Sequence, residues 1–165
     1  MRVISFDPGE QTGVAVGVIE DGRVVVEHHG WDRWVDAAYR YKRGADDFDH
    51  CVYESWLLTK RGAKNLLGSD MPWSQFIGMM KMISWDHGTD LTRQEPADKY
   101  WLDAVMGGTD YLPKSEVEHN RDALRHLFIY AIRNHGVATF QYETRTVEVP
   151  REVVPGRPDD GLPGV

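Results

Sequence analysis

The chain has 165 residues and a formal charge of −7, from 19 Lys and Arg against 26 Asp and Glu. This length and a hydrophobic share of 41% are typical of one globular domain with a sizeable core. No apolar run approaches the roughly 20 residues of a membrane helix. The single cysteine, Cys51, excludes intrachain disulfides and cysteine-based zinc sites. Because the N-terminus resembles a strand rather than a signal peptide, we expect a cytoplasmic protein without membrane contact.

The first part of the chain predicts three strands and a helix. Apolar and β-branched residues predict strands at Arg2–Phe6, Gly13–Ile19 and Arg23–His29. The tripeptide Glu20–Gly22 is typical of a tight hairpin turn between the second and third strands. Aromatic and aliphatic residues at helical spacing then predict a helix over Trp31–Arg43.

The middle and C-terminal parts predict two further strands and three helices. A capping box of Ser115 and Glu118 is expected to start the last long helix. The predicted strands are His50–Trp56 and Thr89–Gln94, and the predicted helices are Pro72–Trp85, Pro96–Met106 and Ser115–Asn134. After the last helix, Val137–Tyr142 could add a short strand.

These elements predict an α/β fold with a five-stranded mixed sheet flanked by helices. The right-handed crossover preference makes the fourth strand parallel to the first, so Asp7 and Glu54 would lie together at the strand ends. We place the folded domain at residues 1–142. Residues 143–165 are expected to be a disordered tail, because four prolines and three glycines occupy the last 16 positions.

Two acidic residues mark the ends of predicted strands. Asp7 precedes Pro8-Gly9, so its carboxylate either points into the crevice or forms an Asx turn. Glu54 lies in an otherwise uncharged segment, residues 51–56, and a buried unpaired carboxylate costs several kcal/mol. A salt bridge to an arginine or a metal ion would satisfy Glu54.

The last helix carries a third acid between two histidines. At about 100° per residue, His119, Asp122 and His126 form one stripe beside the core face, whereas Arg125 belongs to the solvent face. This stripe could complete a site at the sheet edge. Alternatively, the histidines are partly exposed and Asp122 is an acid favoured early in a helix.

Three carboxylates on separate elements are a donor set that suits Mg²⁺ or Mn²⁺. Two such ions about 3.5–4 Å apart can activate water and stabilise the departing oxygen of a phosphodiester. A histidine beside them could orient the water or assist proton transfer. The combination of Asp7, Glu54 and Asp122 therefore indicates a metal-dependent nuclease site.

Three motifs resemble the RuvC family of bacterial and phage Holliday junction resolvases. They are Asp7-Pro8-Gly9-x-x-x-Gly13, Tyr53-Glu54 and His119-x-x-Asp122-Ala123-x-x-His126, in the same order and at similar spacing over about residues 1–140. The resemblance implies a ribonuclease H-like fold and Mg²⁺-dependent cleavage of branched DNA by a homodimer. No nucleotide cofactor is implied.

The resemblance also assigns residues. It implies that Asp7, Glu54 and Asp122 are catalytic metal ligands. His119 corresponds to the acid or histidine that precedes the last aspartate in the family, so it is a further catalytic and metal-binding candidate. His126 has no certain counterpart and is a secondary candidate.

A local basic patch could contact nucleic acid. Between Ser55 and Trp85 there is one acid against Lys60, Arg61, Lys64 and Lys81, with aromatic residues interleaved. The resemblance places the DNA contacts of the family after Glu54, which favours this interpretation. The alternative is an amphipathic helix pair whose aromatic side chains belong to the core.

Other functions on the same fold stay open. A YqgF-type ribonuclease would act on structured RNA, and a binding module would retain the fold and the patch without catalysis. The acid triad argues against a pure binder. The first motif also resembles the phosphate loop of sugar kinases and actin-type ATPases, but 165 residues leave no room for their second domain. Met79 and Met82 lie off the core stripe of their helix and suit a dimer surface.

Overall fold

The structure is a computed structural model. It describes residues 1–55, 71–114, 117–142, 145–150 and 154. The strands are β1 (Arg2–Asp7), β2 (Gln11–Glu20), β3 (Arg23–Arg33), β4 (His50–Glu54), β5 (Asp90–Gln94), β6 (Thr139–Tyr142) and β7 (Arg145–Glu148). The helices are α1 (Trp34–Gly44), α2 (Pro72–His87), α3 (Asp98–Val105) and α4 (Glu118–His135), with a 3₁₀ turn at Ala45–Asp47.

The strands form one mixed sheet in the order β5-β4-β1-β2-β3-β6-β7. The first three strands are antiparallel neighbours, and β4 pairs parallel with β1, as predicted. The predicted fold class is therefore confirmed, but the described residues form seven strands rather than five. The two additional strands are β6, within the segment Val137–Tyr142 that could add a strand, and β7, and they extend the sheet beside β3.

Part of the segment assigned to the tail belongs to the sheet. Residues 145–148 pair with β6, and the side chain of Val149 is buried in the core. Strand β7 has only four residues and is mostly exposed, so its sequence carries little periodicity. Strand β7 forms a hairpin with β6, and β6 in turn pairs with the distant strand β3. That pairing of β6 with β3 joins residues far apart in the chain, so the local pattern does not reveal it.

Two element boundaries differ from the prediction because tertiary contacts override local preference. Strand β3 continues to Arg33, with Trp31 opposite Gly13 of β2, so α1 begins at Trp34. Helix α4 begins at Glu118 after the N-cap residue Val117, and Ser115 lies outside the described residues. None of the described helices has the length and apolar character to cross a membrane.

Each face of the sheet is covered by helices. Helix α4 packs on one face, where most of its length is buried, and α1 and α2 cover the other. Side chains alternate between the two cores along β1, so that Val3 packs under α4 while Ile4 and Phe6 face α1 and α2. This alternation decides which strand-end side chains meet α4.

His50 makes the stability of the fold depend on pH. Its ring stacks on Tyr130 at 4.4 Å and lies 2.8 Å from the hydroxyl of Thr92, and burial lowers its pKa below the ordinary 6.5. A lowered pKa means that the stabilising contribution of neutral His50 is present above pH 6.5 and is lost on acidification. We expect the difference in free energy of unfolding between wild type and His50→Gln to shrink from about pH 7 to about pH 5. A difference that stays constant in chemical denaturation over this range would contradict the assignment.

Candidate active site

Asp7 and Glu54 end two neighbouring parallel strands. The register of β1 with β4 runs to Phe6 opposite Tyr53, and the next residues are Asp7 and Glu54. Val3, four positions before Asp7, and Val52, two positions before Glu54, both belong to the core under α4. Because side chains alternate along a strand, both carboxylates face α4.

Glycines of the first motif let α4 approach the strand ends. A Cβ atom on Gly13 would lie 1.8 Å from the backbone oxygen of His119, and one on Gly9 would lie 3.0 Å from the His119 ring. The Thr12 hydroxyl donates a 2.9 Å hydrogen bond to the carbonyl of Gly9 and closes the turn. The close approach allows a hydrogen bond between His119 Nδ1 and the carboxylate of Asp7. The carboxylate therefore points toward α4, as the crevice interpretation predicts.

Lys99 of α3 joins the second and third acids. Its Nζ lies 2.5 Å from Asp122 Oδ2 and 3.3 Å from Glu54 Oε2. Glu54 was expected to meet an arginine or a metal ion; the basic side chain of α3 that contacts it is a lysine rather than an arginine. Lys99 was not among the predicted site residues, and the available signal was a basic residue in the first turn of a short helix, directly after Asp98.

Arg125 is buried, and its assignment to the solvent face of α4 is wrong. Its Nη1 donates to Asp122 Oδ1, while Nε and Nη2 donate to the carboxylate of Asp103 at 2.9 and 3.0 Å. Helix α3 covers this side of α4 and supplies Asp103 as a counter-charge. The helical pattern of α4 alone does not contain this information. Asp122 is thus held from two sides, by Arg125 and by Lys99.

His126 is fully buried and contacts Glu54. Its Nε2 lies 2.7 Å from Glu54 Oε2, and its Nδ1 lies 2.7 Å from Gln94 Oε1. The Gln94 amide donates a 3.0 Å hydrogen bond back to the backbone carbonyl of His126. Both ring nitrogens are engaged, so His126 orients Glu54 and is not one of two partly exposed histidines.

The pKa values of Asp7, Glu54 and His119 are shifted by their surroundings. Burial raises the pKa of Asp7, against the opposing hydrogen bond from His119. Burial also disfavours the charged form of Glu54, but hydrogen bonds and charge from His126 and Lys99 outweigh it and lower its pKa. The hydrogen bond to Asp7 raises the pKa of His119. Of the two strand-end acids, Glu54 therefore loses its proton more readily than Asp7.

One open cavity of about 490 Å³ collects these groups. Its charged lining consists of five acids, one lysine and one histidine, namely Asp7, Glu10, Glu54, Glu118, Asp122, Lys99 and His119. Two aromatic residues, Trp73 and the exposed Tyr100, also line it. All four residues predicted as catalytic thus lie at one cavity, with a strong excess of negative charge.

The predicted basic patch is only partly visible. Lys60, Arg61 and Lys64 lie outside the described residues. Lys81 is exposed on α2, and its Nζ lies 5.7 Å from the ring centroid of Tyr53. Tyr53 belongs to the core under α1 and α2, so Lys81 is on the face of the sheet away from α4.

The donor set of the cavity fits a hard divalent cation. In the described part of the chain, no three His, Cys, Asp or Glu side chains are arranged to enclose an ion. The ammonium group of Lys99 instead provides the positive charge between Glu54 and Asp122. Carboxylate oxygens are the ligands that Mg²⁺ and Mn²⁺ prefer, and a divalent ion would compete with Lys99 for them.

Comparisons with known proteins agree with the architecture. No family model and no curated protein sequence matches the chain. Among solved structures, Thermus thermophilus RuvC in complex with a Holliday junction substrate matches with a TM-score of 0.59 and 13% identity, over 79% of this chain and 93% of that chain. A second structure of Thermus thermophilus RuvC matches with a TM-score of 0.55, the same identity and the same coverage. The resemblance inferred from the three motifs is confirmed at the level of the fold. The chain has the ribonuclease H-like fold that is found in the RuvC Holliday junction resolvases.

Proposed function

We propose that this protein is a divalent-metal-dependent endonuclease that hydrolyses phosphodiester bonds in branched DNA. The observation that carries the proposal is the convergence of Asp7, Glu54, Asp122 and His119 on one acidic cavity of a ribonuclease H-like fold. The similar protein from Thermus thermophilus was solved with a Holliday junction substrate, which supports a branched DNA substrate here.

Asp7, Glu54 and Asp122 would hold Mg²⁺ or Mn²⁺, two ions per active site, with His119 as a further ligand or as an outer partner. The ions would supply a water activated for attack and stabilisation of the departing oxygen. Arg125 and His126 hold the carboxylates of Asp122 and Glu54 in place through direct hydrogen bonds. Such support keeps metal ligands oriented.

His119 is the group suited to move a proton. Its Nδ1 is hydrogen-bonded to Asp7, and 42% of its side chain is exposed at the cavity. Its Nε2 makes no hydrogen bond within the described residues, so it is available to a water molecule or to a leaving oxygen. Asp7 raises the pKa of the ring, which helps it to hold a proton near neutral pH.

Cleavage of labelled four-way, Y-shaped and linear DNA, each with Mg²⁺ and with chelator, tests the proposal. We expect the four-way junction to be cut in Mg²⁺, linear duplex to be cut far less, and chelator to abolish cutting. An RNA hairpin is tested under the same conditions. Cleavage of the RNA hairpin, with the DNA junctions left uncut, would favour the YqgF-type ribonuclease instead.

Lys60, Arg61 and Lys64 are proposed DNA contacts. We expect the Lys60→Glu/Arg61→Glu double variant to bind a four-way junction more weakly and with a shallower salt dependence. Each lost phosphate contact reduces the magnitude of the slope of log K against log salt by about 1. Fluorescence anisotropy at several salt concentrations measures this slope. A slope equal to that of the wild type would refute the assignment.

A homodimer is also proposed. Met82 is 57% exposed and Trp85 is 84% exposed on α2, and both follow Gly78 at helical spacing. Met79, the other predicted contact, packs partly against the core. We expect sedimentation to give a dimer at micromolar concentration, and Met82→Lys to shift it toward monomer. A wild-type monomer at that concentration would count against paired nicking of a junction.

A further inference from the structure

A second cavity, of about 280 Å³, lies beside the N-terminal half of α4. Three basic side chains line it, Lys114, Arg121 and Arg145, against one acid, Asp110. This concentration of positive charge occurs in a chain whose net charge is −7. The cavity is separate from the acidic one, whose lining includes other residues of the same helix.

The basic groups of this cavity have few internal partners. The buried Nε of Arg121 has no hydrogen-bond partner in the part of the chain that the structure describes. Arg145 donates to the backbone carbonyl of Asp110 and lies over the Tyr142 ring, at 5.9 Å from its centroid. Lys114 is exposed. An anion bound in this cavity could therefore accept a hydrogen bond from the Nε of Arg121.

Other arginines of the chain behave differently. Arg23, Arg40 and Arg133 each pair with a carboxylate at 2.7 to 3.1 Å. No ion pair joins Arg121 or Arg145 to a carboxylate among the described residues. A planar guanidinium matches the oxygens of a phosphate group, and these two remain available for one.

The position of the cavity relates it to the active site. Arg121 directly precedes Asp122 on α4, so the two side chains project about 100° apart around the helix axis. A DNA strand with its reacting phosphodiester at Asp122 would pass this adjoining sector of the helix surface. The cavity is open and lined largely by charged side chains and turn residues, which suits a backbone phosphate better than a base.

We propose that Lys114, Arg121 and Arg145 bind a backbone phosphate of the DNA strand whose neighbouring phosphodiester occupies the acidic cavity. This inference rests on the proposed nuclease function and adds a second contact site for its substrate. Phosphate contacts fix the register of a strand but carry no base information. The site therefore positions DNA of any sequence relative to Asp122.

Binding of a four-way DNA junction in chelator, at several salt concentrations, tests the proposal without cleavage. For Arg121→Gln/Arg145→Gln we expect the negative slope of log K against log salt to become shallower by about 2. The affinity is expected to fall at least about tenfold, equally for junctions of different sequence. Arg121→Lys should keep the slope and lose part of the affinity, because it retains the charge and loses the planar fork.

The matched control is Arg23→Gln/Arg40→Gln, which removes the same charge from two ion-paired arginines. A salt slope for Arg121→Gln/Arg145→Gln equal to that of this control would overturn the proposal. If loss of Arg121 lowers the melting temperature, Lys114→Gln/Arg145→Gln replaces it with the same expected change in slope. A wild-type protein that binds no junction would contradict the proposed function itself, whereas normal wild-type binding with an unchanged variant slope refutes the phosphate site alone.

Discussion

Each of the variants Asp7→Asn, Glu54→Gln and Asp122→Asn is expected to cut a four-way junction about a thousandfold more slowly than the wild type, or not at all. Metal ligation contributes several kcal/mol to the stabilisation of a phosphodiester transition state, and each 1.36 kcal/mol is a tenfold change in rate. An amide has nearly the same shape as the carboxylate but lacks its charge. Single-turnover cleavage in Mg²⁺ measures the effect.

Junction binding should survive these substitutions or improve, because they remove negative charge from a cavity that DNA approaches. Glu20→Gln is the matched control, since Glu20 is an exposed acid paired with Arg23 at the β2–β3 hairpin. The melting temperature of Asp122→Asn must be measured as well, because Lys99 and Arg125 both lose a charged partner there. Cutting at the wild-type rate by any one folded variant would remove that residue from the active site.

Lys99→Met is expected to destabilise the metal-free protein and to increase its response to divalent ions. Lys99 is the cation between Glu54 and Asp122, and removing one partner of such a buried group costs about 3 kcal/mol. For a domain of this size that corresponds to a melting temperature lower by about 10 °C. Without the ammonium group the two carboxylates repel one another, so Mn²⁺ should bind at least about tenfold more tightly.

Thermal melting and calorimetric titration with Mn²⁺ test both parts of this prediction without a nuclease assay. Lys42→Met, in the last turn of α1, is the matched control and should change neither quantity. Equal Mn²⁺ affinity of wild type and Lys99→Met would mean that the lysine and the metal do not share Glu54 and Asp122. A melting temperature equal to that of the wild type would mean that the ion pairs contribute nothing to stability.

The location of Asp7 and Glu54 was predictable because it follows from rules that act on short segments. Each acid ends an apolar strand, and the crossover preference makes those two strands parallel. Parallel strands put their carboxyl ends at one edge of the sheet. The stripe of His119 and Asp122 followed equally from helix geometry, because both lie on one side of α4.

The environment of the acids was not predictable, and Arg125 shows why. Its position on α4 predicted exposure, yet α3 covers it and provides Asp103 as a partner. Lys99 was missed for the same reason, since its neighbours Glu54 and Asp122 lie far away in sequence. Burial and ion pairing depend on which elements pack together, and no local pattern encodes that.

Local sequence thus determined the strands at the centre of the sheet, the direction of β4 and the three motifs that carry the site. Tertiary structure decided the pairing of β6 with β3, the length of β3 and the burial of Arg125 and His126. It also decided that a lysine lies between two of the acids. The physical reason is the distance along the chain over which each interaction acts. Hydrogen bonding within a turn or a helix depends on neighbours in sequence. The energy of a charged side chain depends instead on the groups that folding brings beside it.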